Sequence, residues 1–414
     1  MTTSNVDKKR RDAQPPSEQT ARPRDVQPPS ERAARPPAPG RMLSVDALRG
    51  FDMFWIIGGH GIVLGLAALI VDPVPAWLQF HMSHPDWIGF SAWDMIMPLF
   101  LFIVGVVMPF SFAKRLEQDQ TKWRMYAKVA RRTVILFVLG MAAQGNLLDF
   151  KLDTFHIFSN TLQAIAVGYL IGAILLLEVP VIGQVLATLG LLLAYWALLA
   201  FVPFPGGQAG LLEPQNNLAL VVDKWVFGRF QDGTTYTWLV SGLGFAATTM
   251  LGVFGGQLLR SRWSPWMKAT WITLLGILCL AAGWAWGFWL PSIAATSPPF
   301  VQHLSLPIIK HIWTSSMVLW AGGWSFLLLA VFYAIIDVIG WRRWAFFFIV
   351  IGANAIAVYM ATHVIEFHDI SDPVVGGLAE HFGRFGAITK DLCAFAAIWL
   401  ILWYMYRNKT FVRV

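Results

Sequence analysis

His81, His84, Asp86 and Asp94 stand close together in HMSHPDWIGFSAWDMIMPLFLFIVGVVMPFSF, residues 81–112, and after Asp94 no further charge appears until Lys114. An imidazole titrates near neutral pH, so His84 has the proton affinity a general base needs, and a carboxylate from Asp94 or Asp86 can orient its ring. A titratable cluster at the lip of a membrane span is costly to keep, which points to a site. The same residues have a plainer use, because Trp77, Trp87 and Trp93 surround them and a Trp-rich loop is what a membrane interface favours. A second pair lies in RMLSVDALRGFDMFWIIGGH, where Arg49 and His60 are eleven residues apart and share a helix face at ~100° per residue. His60 then falls near mid-membrane, where its imidazole needs either a neighbouring helix across GGHG or a water-filled cavity.

The elements that must position these groups follow from composition. With 56% hydrophobic residues, 13% charged and 21 tryptophans in 414 residues, the chain cannot hide its apolar surface in a soluble core. It reads as an all-α integral membrane protein. Ten apolar runs of helical length are expected, at 51–71, 91–112, 129–145, 159–178, 182–202, 238–259, 267–289, 314–337, 344–364 and 388–406, each near the ~20 residues that cross ~30 Å of hydrocarbon. The two cysteines, Cys279 and Cys393, sit inside apolar runs and read as core residues, so neither a disulfide framework nor a metal site is expected.

Residues 1–40 form a separate region, polar and Pro/Arg-rich, with DAQPPSEQTARP loosely repeated as DVQPPSERAARP. This reads as a disordered cytoplasmic tail before a polytopic domain over 41–414, without the apolar core of a cleaved signal. The formal charge of +7 is carried asymmetrically. If both termini are cytoplasmic, 25 of the 31 Lys and Arg fall on that side and only Lys151, Lys224, Arg229, Lys310, Arg384 and Lys390 on the other. The charge is thus a topogenic signal or a surface for anions or anionic lipid, and nucleic acid is not an expected partner. The outer side would gather the His81–Asp94 cluster, Asp149, Asp153, His156, the 203–237 loop, His303–His311 and Glu366–His381.

The segments SVDALRGFDMFWIIGG, HPDWIGFSAWDMIMPLFLFIVGVVMPFS, LQAIAVGY, ATTMLGVFGG, KHIWTSSMVLWAGGWSFLLLAVFYAIIDV and WAFFFIVIGANAIAVY, in order from about Arg41 to the last span, resemble the membrane acyltransferases related to lysosomal heparan-alpha-glucosaminide N-acetyltransferase. The opening R-x10-H is also similar to that of the acyltransferase-3 family, over a much shorter stretch. The resemblance implies a cell-membrane enzyme that takes acetyl-CoA from the cytoplasm and delivers the acetyl group to an amino sugar or glycan on the outer, periplasmic side. In the family the histidine ahead of the outer-loop W-x-G is catalytic, which matches His84 in HPDWIGF. The chain departs from the pattern twice, with His60 where relatives carry asparagine and Ala164 where many carry arginine.

Acetyl transfer from a thioester to an amine requires a base, donors for the tetrahedral oxyanion and exclusion of water. His84 is the candidate base, Asp94 its orienting partner and His60 an auxiliary donor or proton relay. Asp86, Trp87, Lys310 and Ser315 are candidate acceptor contacts, the last two also serving as a helix cap or rim. Asn354 either packs or donates to the oxyanion. Arg49, Arg131 and Arg132 are the best-placed cations for donor phosphates. No phosphate-binding loop or dinucleotide fingerprint is present. The rival reading is a multi-pass transporter or flippase of a sugar or lipid-linked solute, although the two halves of the chain show no internal repeat. A structural subunit without chemistry would leave the His and Asp cluster unexplained, and the composition leaves open a homo-oligomer.

Overall fold

The computed structural model describes residues 42–116, 121–294, 298–364, 376–377, 379 and 381–412. The expected tail over 1–40 lies outside the described residues, as do Arg413 and most of Glu366–His381. In hydrocarbon each backbone N–H and C=O must be paired within its own segment, so runs of this composition form helices. Among the described residues there are helices, turns and two isolated bridges, and no strand.

The long helices are α1 (Leu43–Ile70), α2 (Trp93–Lys114), α3 (Lys122–Gln144), α4 (Thr161–Glu178), α5 (Val181–Phe201), α6 (Gly242–Arg260), α7 (Pro265–Ala294) and α8 (Ser315–Val338), followed by α9 (Ala345–Gly352), α10 (Ala355–Val364) and α11 (Gly386–Arg407). Eight of them, all but α3, α9 and α10, are long and apolar enough to cross a membrane. The α9 and α10 pair, bent by 69° at its break, makes a ninth if counted as one span. The remaining expected span, 129–145, belongs to α3, which starts at Lys122 and carries Lys122, Arg124, Lys128, Arg131 and Arg132 in its first half. That charge sets it apart from the other long helices, though its 23 residues reach ~35 Å at ~1.5 Å per residue.

Small residues let the central helices touch backbone to backbone. A Cβ on Gly105 of α2 would run into the carbonyl oxygen of Thr249, and one on Gly252 of α6 into that of Phe102. The α1 and α9 crossing is built the same way, with Gly50 against Phe348 and Gly352 against Asp46. Helix α1 is interrupted by a π turn at Trp55–Gly59, where Gly58 has φ 139°, a conformation other residues rarely adopt. The break comes immediately before His60.

Successive helices reverse direction, which brings the loops after α1, α3, α5 and α7 to one end of the bundle. Backbone hydrogen bonds join them there, from Gly89 N–H to Ile308 O (2.9 Å), from Ile157 N–H to Phe230 O (3.1 Å) and from Thr237 N–H to His311 O (2.9 Å). A short helix, Leu218–Phe227, adds the buried Asp223, whose carboxylate accepts from Trp238 N–H (2.6 Å) and Leu239 N–H (3.0 Å). The result is a cap with internal hydrogen bonding of its own.

Gly105→Ala and Gly252→Ala should each destabilise the protein by the ~1–3 kcal/mol typical of overpacking, read as a lower melting temperature of the purified protein. Gly190→Ala on α5, where the added methyl meets nothing within 4 Å, should leave it unchanged or raise it. Equal melting temperatures for all three would sink the close-packing argument.

Candidate active site

The site begins with the start of α2. Ser91 and Asp94 form a reciprocal helix cap: Ser91 N–H donates to Asp94 Oδ2 (3.0 Å), and Asp94 N–H donates to Ser91 Oγ (3.3 Å). Ser91 Oγ also donates to Ser83 O (2.6 Å), which ties the cap to the loop carrying His84. The other carboxylate oxygen, Asp94 Oδ1, lies 2.6 Å from His84 Nδ1 and 3.1 Å from Lys310 Nζ. Asp94 is 1% exposed and Lys310 8%, whereas the His84 side chain is 41% exposed.

Two donors converge on one oxygen. With Nδ1–H given to Asp94, the His84 tautomer is fixed and Nε2 keeps its lone pair for the open side of the loop. The 3.2 Å between Lys310 Nζ and His84 Nδ1 is then the spacing of two donors around a shared acceptor. Burial pushes the Lys310 ammonium below its ordinary pKa, and Asp94 pushes it back up. The neighbouring His311 stacks on Tyr236 (4.2 Å between ring centroids), meets the edge of Trp87 (5.3 Å) and places Nδ1 2.6 Å from Thr235 Oγ1. Burial, and after it the Lys310 charge, holds the imidazole down to about 4. His311 is therefore neutral near pH 7.

The structure brings His84, Asp94 and Lys310 into direct contact, with Trp87 beside them through His311. Trp87 donates Nε1–H to Leu212 O (2.7 Å), which fixes its ring, and Asp86 is exposed on the same loop. His60 is one ring away: its Nε2 pairs with Met82 O (2.8 Å) and its ring lies 4.4 Å from Trp93, which in turn lies 6.4 Å from His84. His81 accepts from Ala92 N–H (3.3 Å). Other candidates are engaged elsewhere. Ser315 donates to Leu192 O (2.7 Å) between helices, and Asn354, at the α9–α10 break, binds Thr410 O (3.1 Å) and Val412 N–H (2.9 Å). Arg49 pairs with Asp46 (4.0 Å) in the first turns of α1, Arg131 is exposed, and Arg132 lies over the Tyr169 ring (4.6 Å) with its Nε unpartnered among the described residues.

The sequence pattern does not single out Ser91 or Tyr236 as site residues. Ser91 had a signal, since S-x-x-D ahead of an apolar run is a helix-start signature. Trp93 was legible only as an interface residue, and Tyr236 gave no signal in the 203–237 loop. Among the described residues no group of three or more His, Cys, Asp and Glu side chains is placed to hold a metal ion.

Fold and site together define a polytopic helical membrane protein with a His–Asp–Lys cluster in the loop cap at one end of the bundle. No family model matches the chain. It is similar to heparan-alpha-glucosaminide N-acetyltransferase of Homo sapiens, 24% identical over 428 residues that cover 91% of this chain and 60% of the relative. It is likewise similar to the enzyme of the same name from Mus musculus, 23% identical over 426 residues, 90% and 60% of the two chains. The relationship is distant, and the chain spans about 60% of the length of the curated relatives it matches.

Because the His311 pKa is depressed in the fold, the unfolded chain binds a proton that the native cap does not between the ordinary value near 6.5 and about 4. The associated stability is present above that window and is lost as pH falls through it. The melting temperature should drop between pH 7 and pH 4.5, and His311→Phe, which keeps the ring stacking, should shrink the drop. An unchanged pH profile would show that His311 does not govern it.

Proposed function

We propose that this protein transfers an acetyl group from acetyl-CoA, taken up on the membrane side that bears the chain termini, to an amine of an amino sugar or glycan on the side that bears the His84 loop. The observation that carries this reading is the 2.6 Å contact of His84 Nδ1 with Asp94, on a side chain 41% exposed, which leaves Nε2 available in a loop that resembles the catalytic one of the family. The likeness to two N-acetyltransferases over about nine-tenths of the chain supports the same reaction class.

In the proposed step His84 Nε2 takes a proton from the acceptor nitrogen as that nitrogen bonds to the thioester carbonyl carbon. The carbonyl oxygen becomes an oxyanion, the tetrahedral adduct collapses, the C–S bond breaks, and the proton on His84 passes to the departing thiolate. Asp94 stabilises the imidazolium that forms in between. The Lys310 ammonium keeps Asp94 ionised and sets a positive charge next to the place where the oxyanion develops. Trp87, with His311 and Tyr236 behind it, offers an aromatic face against which a sugar ring can stack, and Asp86 is available to its hydroxyls. Arg49, Arg131 and Arg132 are assigned to the donor phosphates.

His84→Ala should leave the protein folded, since the side chain is largely outside the packed interior, and should lower transfer of labelled acetyl by ~10²–10⁴-fold. His81→Ala should lose far less. His60→Ala should fall between them, because it removes both the Met82 anchor and the support beneath Trp93. Near-normal transfer by His84→Ala, with loss of solute uptake or lipid flipping, would replace the enzyme reading by the transporter one.

Alanine at Arg49, Arg131 or Arg132 should weaken acetyl-CoA binding by ~1.5–3 kcal/mol for each charge-assisted contact removed and leave acceptor affinity nearly unchanged. Equilibrium binding of the donor to detergent-purified variants measures this. Wild-type affinity in all three variants would leave the arginines a topogenic role alone.

A further inference from the structure

Below the loop cap lies a cavity of ≈ 560 Å³ to which the proposed transfer step assigns no role. Its walls come from Trp55 of α1, Trp93 at the start of α2, Trp320 and Trp324 of α8, and Trp77 of the short helix Ala76–His81. Trp77 and Trp324 are exposed and mark the open side. The volume lies within the ~300–1,000 Å³ of small-molecule sites, and the lining is apolar apart from a few groups.

One of those groups is Asp52. It is 2% exposed, lines the cavity, and has no hydrogen-bond or ion-pair partner among the described residues, its Oδ2 being fully enclosed. The other buried acids among the described residues are satisfied: Asp94 by Ser91, His84 and Lys310, and Asp223 by two backbone donors. A carboxylate left alone in apolar surroundings costs several kcal/mol or more unless it is neutralised, and no Lys or Arg lines the cavity to neutralise it. A retained proton neutralises it while the cavity is empty, and a cation brought by a ligand can take that proton's place. Indole faces are the best aromatic partners for an organic cation, and the remaining apolar wall suits a hydrocarbon or aryl tail.

We infer that this cavity is a binding site for an amphiphilic amine, whose ammonium pairs with the Asp52 carboxylate among the tryptophan faces and whose apolar tail fills the rest. The cavity adjoins the His84 loop without containing His84 or Lys310: His81, Met82 and Phe90–Trp93 line it, and the same segment ties Asp94 to His84 on its other side. A ligand enters from the exposed edge at Trp77 and Trp324, so a molecule that partitions into the membrane interface reaches it directly.

The test uses the full-length protein in lipid nanodiscs, with 4-phenylbutylamine and its neutral analogue 4-phenylbutanol as probes, and calorimetric titration corrected for empty nanodiscs. Wild-type protein should bind the amine saturably and about tenfold more tightly than the alcohol. Asp52→Asn, nearly identical in shape, should bring the two affinities together by weakening the amine alone. Trp324→Leu, at the exposed edge, should weaken the amine more than the alcohol, and it keeps the test open if Asp52→Asn fails to assemble. Equal affinities in the wild type, or a preference for the amine that survives Asp52→Asn or is undiminished in Trp324→Leu, would overturn the inference. None of these readings depends on acetyl transfer, so they stand apart from the outcome at His84.

Discussion

The carboxylate of Asp94 is shared between the helix that carries it and two side chains from elsewhere in the chain. One oxygen closes the first turn of α2 onto Ser91, and the other receives His84 and Lys310. The two jobs reinforce each other. A capping residue has its rotamer fixed by backbone donors, so Oδ1 points in one direction and the imidazole that meets it is aimed as well. Placing the cap at the mouth of an apolar helix also keeps the pair partly shielded from water, where charge-assisted hydrogen bonds are strongest. Lys310 completes the arrangement, since a carboxylate 1% exposed needs a countercharge more than it needs a third neutral donor.

The depth at which these groups sit is set by backbone packing. Gly105, Gly252, Gly50 and Gly352 bring helix axes close enough for main chains to touch, and the bundle inherits its spacing from those contacts. At Gly58 the π turn re-aims α1 just before His60, so the imidazole reaches Met82 O and the face of Trp93 instead of lipid. Trp93 thus has two histidines near it, His60, which anchors the loop, and the exposed His84.

Much of this was readable from the chain. Apolar runs of membrane length have only one backbone solution in lipid, so the helices and most of their limits were legible, and the charge on α3 is visible in the same letters that suggested a tenth span. The approach of His84 to Asp94 was legible because only ten residues separate them around a helix start. Lys310 was visible only as a polar residue at a rim, because no periodicity links it to a partner so distant in sequence. Asn354 shows the opposite difficulty: an amide inside an apolar segment reads equally as a packing group or a donor, and the structure has it at a break in the helix holding the backbone of Thr410 and Val412. A sequence pattern gives the helix face and not the neighbour that will occupy it.

His84 and Lys310 are 226 residues apart, and this separation has a consequence for biosynthesis. At ~5–20 residues per second, Asp94 and His84 leave the ribosome tens of seconds before their cation is made. Four further long helices, α3 to α6, and then α7 are delivered to the membrane in that interval. During it the acid can be neutral or wet, but it cannot yet be paired as in the finished protein. The newborn amino-terminal half therefore passes through a period in which the Asp94 carboxyl at the start of α2 depends on water or on the insertion machinery for company, and assembly of the cap is tied to the arrival of the segment just ahead of α8.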